Sequence, residues 1–206
     1  AGGALLARKI EPEDEDNDNE EELEGVIVDT SNLPASFDMV LVHEHINVAG
    51  LEVGNRVRVN VLAPTRFRVD ADDLQISEQG NADFDSTTDL MVGQVVEVER
   101  QSPVTGTPPT FDSNRIKLKD TRVTGRVASI DTVNSVVVLD TLPTLFGPSP
   151  GTTLQVRVFA ETRFHSPVTG IGGLVVGNTI SVRGLLFETP GGSANPALFA
   201  KRIRRR

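Results

Sequence analysis

The amino-acid sequence repeats itself at a distance of about one small domain. The segment VRVNVLAPTRF at residues 57–67 returns as LQVRVFAETRF at residues 154–164. The segment DLMVGQVVE at 89–97 likewise returns as GLVVGNTIS at 173–181. Self-similarity of this kind indicates tandem copies of one supersecondary unit. The sequence therefore predicts two domains of roughly 80 to 100 residues, which is a normal size for a single core.

The end of the repeated unit occurs a third time at the start of the sequence. The second copy ends in FAKRI (199–203), the first ends more loosely in NRI (114–116), and LARKI at residues 6–10 carries the same pattern. The N-terminal copy has no repeat of its own in front of it. We therefore predict four regions: an orphan closing strand (1–11), an acidic linker (12–23), a first barrel (24–120) and a second barrel (121–206).

Strand patterns dominate the chain beyond residue 24. Val57, Val59 and Val61 alternate with polar residues, and Ile180 and Val182 do the same. This period of two is typical of a sheet with one buried and one solvated face. Turns rich in Gly and Pro recur at short spacing, and no long helical period is present. We predict an all-β fold of two small, closed or nearly closed antiparallel barrels, similar to OB folds, because closure removes exposed sheet edges.

Composition excludes several classes of protein. A hydrophobic content of 38% with nine Phe, and without Trp or Tyr, predicts two aliphatic cores and argues against a disordered chain. The absence of Cys removes disulfides, thiolate metal sites and cysteine nucleophiles. No apolar run approaches the length of a membrane span, so no membrane insertion is predicted. A net charge of −9 without Trp or Tyr argues against nucleic acid as a partner.

The order of short motifs resembles that of a known family. G-x-[VI]-x-[SD] opens each repeat, T-x-F ends a valine-rich strand, a V-G turn precedes the next strand, and A-[KR]-[KR]-I closes the unit. This order is similar to a bacterial family of secreted, often tandem, small β-barrel domains of unknown function, over about residues 24–206 and 2–10. The resemblance implies an extracytoplasmic, non-catalytic module and transfers no site residue. The stretch 70–89 departs from the compact pattern of the family.

The linker is the strongest anomaly in composition. Ten of the fourteen residues at 11–24 are carboxylates, which repel one another and cannot form a packed core. The simplest interpretation is a solvated linker. The alternative is calcium, because Asp14, Asp16 and Asp18 have the D-x-D-x-D spacing that brings alternate carboxylates onto a hard cation. The Gly and Glu that an EF-hand would need at positions 19 and 25 are absent.

Catalytic signatures are missing, and only one further metal pattern occurs. His43 and His45 would lie on one face of a strand, where His165 or a carboxylate could complete a metal site. The competing interpretation is a polar stripe facing solvent. No P-loop, serine-hydrolase or zinc-protease signature is present. We therefore predict that the protein is not an enzyme and has no cofactor, with calcium or another divalent cation as the alternative.

Charge and the surplus strand together suggest self-assembly. Five of the last six residues are basic: Lys201, Arg202, Arg204, Arg205 and Arg206. The orphan strand, with Leu5, Leu6, Ala7 and Ile10, has no evident vacancy in its own two repeats. Addition of that strand to a neighbouring copy would be a heterologous contact, which propagates as a filament.

The sequence thus predicts a structural subunit of an extracellular or cell-surface fibre, built from copies of itself arranged head to tail. The alternative function is an extracytoplasmic module that binds a cation or another ligand.

Overall fold

A computed structural model describes residues 21–44, 48, 51–71, 74, 83–146, 152–188 and 195–206. The strands are β1 (Glu21–Asp29), β2 (Ser36–Glu44), β3 (Arg56–Val69), β4 (Val95–Arg100), β5 (Thr110–Lys119), β6 (Thr121–Asp131), β7 (Val136–Asp140), β8 (Leu154–His165), β9 (Thr179–Phe187) and β10 (Ala197–Arg205). Short 3-10 helices lie at Thr87–Asp89, Thr144–Phe146 and Ile171–Gly173. None of the helices in the described ranges has the length and apolar character needed to cross a membrane.

The strands form two closed five-stranded barrels in one all-β chain, as predicted. Barrel 1 has the order β1-β2-β3-β5-β4, and barrel 2 has the matching order β6-β7-β8-β10-β9. One pairing in each barrel is parallel, β3 with β5 and β8 with β10, so the barrels are mixed and not purely antiparallel. The alternation of apolar and polar residues sets the buried face of a strand but not its direction. The sequence could therefore not reveal the parallel pairings.

Strand register gives each position of barrel 1 a counterpart in barrel 2. Gly25 pairs with Val96 in barrel 1, and Gly125 pairs with Ile180 in barrel 2. The pair of Phe67 with Ile116 corresponds in the same way to that of Phe164 with Ile203. The loop between the third and fourth strands is longer in barrel 1, and it contains the stretch 70–89 that departs from the repeat.

Each barrel has its own aliphatic core. Leu23, Val57 and Val96 are fully buried in the first core, and Val156 and Val182 are fully buried in the second. Burying one such side chain stabilises the fold by about 1.5–3 kcal/mol. The alternating valines identified in the sequence are therefore the residues that hold each barrel closed.

The two barrels also share a buried contact. Leu185, Phe187 and Phe199 lie on the outer side of β9 and β10, yet they belong to the same buried cluster as the core of barrel 1. The ring centroids of Phe187 and Phe199 are 4.9 Å apart. The buried amide of Gln94, before β4, donates a hydrogen bond to the Leu186 carbonyl at 3.0 Å. One half of the outer face of β9 and β10 is therefore covered by barrel 1, and the other half stays exposed.

Candidate functional site

The exposed half of that face carries a row of four arginines on four neighbouring strands. Arg183 of β9 pairs with Arg122 of β6 on one side and with Arg202 of β10 on the other. Arg202 pairs in turn with Arg163 of β8. Neighbouring strands lie about 4.8 Å apart, and like charges directly opposite each other destabilise a sheet. Such a row favours the binding of an anion that would offset the repulsion.

A second row lies beside the first. Arg204 pairs with Ser181 of β9 on one side and with His165 of β8 on the other. Beyond it, the backbone N–H of Arg206 donates to the Thr179 carbonyl at 3.0 Å. We define the two rows as the basic face: Arg122, Arg163, His165, Ser181, Arg183, Arg202, Arg204 and Arg206. All six arginines and the histidine are exposed to solvent.

The basic face contains a cleft with a volume of about 220 Å³. Its lining, among the described residues, provides hydroxyl, imidazole and guanidinium side chains and no carboxylate side chain: Arg122, His165, Ser181, Arg183, Arg202, Arg204 and Arg206. Guanidinium groups bind carboxylates, phosphates and sulfates through paired N–H donors. The cleft is therefore suited to an anionic group.

Among the described residues, negative charge compensates the face along the edge that contains Asp120. Asp120 accepts a hydrogen bond from Arg183 Nε at 2.8 Å, and Lys201 Nζ lies 2.8 Å from its other carboxylate oxygen. Asp120 and Glu161 line a neighbouring cleft together with Arg163. Within the described ranges, four arginines of the face form no ion pair: Arg122, Arg202, Arg204 and Arg206.

The corresponding face of barrel 1 has the opposite character. By register, Glu22 stands in place of Arg122, Glu97 in place of Ser181, and Glu99 in place of Arg183. The bases at the fifth strand are retained, since Arg115, Lys117 and Lys119 correspond to Arg202, Arg204 and Arg206. We call these residues of barrel 1, with Glu24, Arg66 and Arg68, the paired face.

Contacts on the paired face show internal neutralisation. Glu97 is buried and lies 3.5 Å from Lys117 Nζ and 3.2 Å from Lys119 Nζ. Glu99 is 3.4 Å from Arg115 Nη1. Burial lowers the pKa of Lys119, but its hydrogen bond to Asp70 and the charge of Glu97 outweigh that effect and raise the pKa overall. Barrel 1 thus has carboxylates on the fourth strand of this face, where barrel 2 has Ser181 and Arg183.

The predicted assembly residues at the C-terminal end divide into three groups. Arg202, Arg204 and Arg206 lie on the basic face. Lys201 is largely buried and donates to the Asp70 carbonyl of barrel 1 at 2.8 Å, so it belongs to the contact between the barrels. Arg205 is exposed in β10 and does not line the cleft. The basic end of the chain is therefore part of a barrel strand.

The other predicted site residues lie largely outside the described residues. These are Leu5, Leu6, Ala7, Ile10, Asp14, Asp16, Asp18 and His45, together with the side chain of His43, whose backbone belongs to β2. His165, the suggested third metal ligand, lies among arginines, which disfavour a cation. No group of three His, Asp or Glu able to hold a metal ion occurs within the part of the chain that the structure describes. Both metal sites stay predictions.

The sequence did not indicate Arg122, Arg163, Ser181 or Arg183 as site residues. One signal was available, because the aligned segments 89–97 and 173–181 place Ser181 where the first repeat has Glu97. The sequence does not show what this difference between the repeats affects, because only the strand register places Ser181 beside Arg204.

No protein-family model matches the chain, and no curated protein matches it. The resemblance to secreted barrel domains therefore stays an expectation.

Proposed function

We propose that the protein is a non-enzymatic structural subunit of an extracellular or cell-surface assembly, whose copies associate head to tail. In this proposal the basic face of one copy holds the acidic segment of the next, defined as residues 11–20 with seven carboxylates. The observation that carries the proposal is a set of exposed arginines that have no ion pair with any described residue, in a chain whose net charge is −9. Complementary charge steers encounters and discourages contacts between like faces.

The positions of the two charged regions support an open chain of subunits. The acidic segment precedes β1 of barrel 1, whereas the basic face belongs to barrel 2. A contact between two different surfaces is heterologous, and it propagates unless the rotation between subunits closes a ring. Seven carboxylates opposite six arginines are also close to neutral as a pair.

Donation of the orphan strand is a separate prediction. Each barrel is closed by five strands of its own, so the described residues leave no gap for a sixth strand in either strand order. The strand with Leu5, Leu6, Ala7 and Ile10 would have to pair elsewhere in a neighbour. Charge pairing therefore carries the proposal, and strand donation is tested beside it.

Two variants separate the two modes of association. In the first, the carboxylates at 11–20 are changed to the corresponding amides, so the length of the chain is unchanged. In the second, residues 1–10 are deleted and the carboxylates are kept. Sedimentation velocity at low salt, with negative-stain microscopy, measures the assemblies. We expect the amide variant to stay monomeric and the deletion variant to associate as the parent does.

Salt and concentration provide the controls. Screening shortens the range of charge interactions to about 10 Å at 0.1 M ionic strength, so parent assemblies should dissociate as salt increases. A parent chain that stays monomeric at low salt and high concentration would refute the proposal. If the deletion variant fails to assemble while the amide variant still assembles, the assembly depends on strand donation.

A further inference from the structure

The comparison of the two barrels shows which carboxylates of barrel 1 have no acidic counterpart in barrel 2. On the paired face, the carboxylates of Glu97 and Glu99 neutralise the bases of β5 from the neighbouring strand β4. On the basic face, the bases of β10 are kept, but the counterparts on β9 are Ser181 and Arg183. The barrel fold is otherwise the same in strand order and register. The bases of β10 are therefore not neutralised by the neighbouring strand β9 in the way that those of β5 are neutralised by β4.

We propose that the cleft in the basic face is a binding site for a phosphate or sulfate group. A carboxylate has one planar pair of acceptors, whereas a tetrahedral oxyanion presents acceptors in several directions. The donors around the cleft come from four different strands, since β6, β8, β9 and β10 each contribute at least one. Charge-assisted bonds from guanidinium groups are among the stronger hydrogen bonds in proteins.

Two features of the cleft hold donors in place for such a group. Arg183 is held by its hydrogen bond to Asp120 at 2.8 Å, which limits where its other N–H groups point. Ser181 is nearly buried and lines the cleft, and it lies directly beside Arg204 in the sheet. With the imidazole of His165, the cleft offers a hydroxyl and an imidazole beside its guanidinium donors. Arg204 lies between Ser181 and His165 in the sheet.

The site lies on the same face as the proposed assembly contact, and it can be tested without any assembly. Isothermal calorimetry measures the binding of inorganic phosphate, and in a second series of inorganic sulfate, to the full chain in a buffer free of other multivalent anions. We expect saturable binding of one anion per chain. If the parent chain does not associate, the proposed assembly is refuted, but calorimetry can still show whether the cleft binds phosphate or sulfate.

Three variants test the assignment to the cleft. Arg204→Gln with Arg206→Gln should weaken binding at least about tenfold, which corresponds to about 1.4 kcal/mol. Ser181→Glu should abolish binding, because it supplies the carboxylate that Glu97 supplies in barrel 1. The matched control is Arg66→Gln with Arg68→Gln on the paired face, both exposed, which should bind as the parent does. Circular dichroism checks that every variant is folded.

The source of the group is tested with a sulfated polysaccharide in place of the free ion. The parent chain should bind both the free anion and the sulfated polysaccharide, and the Ser181→Glu variant should bind neither. That result would show that the cleft binds the anionic group whether it is a free ion or part of a polymer. Binding of the polymer without saturable binding of either free anion would overturn the site, since it would show only a general attraction to the arginines. Equal binding by the parent and the Ser181→Glu variant would overturn it as well.

Discussion

Barrels 1 and 2 have one strand order and one register but use the same outer surface differently. On the paired face of barrel 1, buried Glu97 and Glu99 lie within 3.5 Å of the bases on β5. On the basic face of barrel 2, the matching bases are exposed and face Ser181 and Arg183. The comparison shows that a repeated fold can keep its core and exchange internal charge pairs for an exposed basic surface by changing a few outward positions.

The largest expected effect concerns the turn before the fourth strand. Gly93 and Gly177 have φ of +95° and +91°, where a side chain is strained. A Cβ at Gly93 would lie 2.5 Å from the Phe146 ring of barrel 2, whereas a Cβ at Gly177 would meet nothing within 4 Å. Gly177→Ala should lower the free energy of unfolding by about 1–3 kcal/mol through backbone strain. Gly93→Ala should lower the free energy of unfolding by about 1–3 kcal/mol more than Gly177→Ala does, because its methyl group would also overpack against barrel 2.

Urea unfolding of both glycine variants, followed by circular dichroism, measures this difference. Equal losses would show that the contact between Gly93 and Phe146 does not constrain the barrels.

The second prediction concerns an ion-pair network found only in barrel 1. Buried Asp38 accepts hydrogen bonds from Arg56 Nε at 2.9 Å and from Arg58 Nε at 2.8 Å, whereas its counterpart in barrel 2 is Val138. Asp38→Asn should lower the free energy of unfolding by about 1.5–3 kcal/mol, the usual contribution of hydrogen bonds to charged groups. The control is Asp140→Asn, because Asp140 pairs with the half-exposed Arg126. This substitution should lower the free energy of unfolding by less than about 1 kcal/mol.

The same network predicts a pH dependence. Burial raises the pKa of Asp38, but the hydrogen bonds and charges of Arg58 and Arg56 outweigh it, so the pKa is lowered overall. A lowered carboxyl pKa stabilises the fold above the unfolded value of about 3.9. That stability is lost as pH falls through the lower, folded value. Acid titration of the parent should show this loss, and the Asp38→Asn variant should lack it; identical acid transitions would contradict the assignment.

A smaller effect is expected from removing one internal anion of the paired face. Glu97→Gln removes one of the carboxylates that neutralise Lys117 and Lys119, and it should lower the free energy of unfolding by about 1–2 kcal/mol. The loss is limited because Asp70 also forms ion pairs with both lysines. Thermal unfolding measures the change. The reverse change in barrel 2, Ser181→Glu, should leave stability equal or higher, since it creates the pairing that barrel 1 already has. A destabilised Ser181→Glu variant would mean that the two faces are not interchangeable.

The smallest effect on stability should accompany the largest effect on association. Arg202→Glu with Arg204→Glu reverses two exposed charges and should change the free energy of unfolding by less than about 1 kcal/mol, since surface substitutions are usually within about 0.5 kcal/mol each. Under the proposed function, sedimentation at low salt should show association at least about tenfold weaker. The matched reversal of Arg66 and Arg68 on barrel 1 should leave association unchanged. Equal loss in both variants would indicate a nonspecific effect of net charge.

Sequence patterns predicted the fold better than they predicted the site. The alternating valines around Val57 and Val182 identified strands and buried faces, because burial imposes the period of two directly on the sequence. The run GLLF at 184–187 interrupts that period, since Leu185 and Phe187 pack against barrel 1 while Leu186 faces its own core. The site was harder to predict, because its arginines are scattered over residues 122–206 and meet only across four strands.

The tandem repeat, the two all-β barrels and the contrast between the acidic and basic regions can be predicted from the amino-acid sequence. This is possible because apolar periodicity and charge are local properties of the chain. The parallel pairings, the contact between the barrels and the gathering of Arg122, Arg183 and Arg202 on one surface are visible in the folded structure and not in the sequence. Those depend on strand register, and register is set by how the strands of a closed barrel fit together over long separations in sequence.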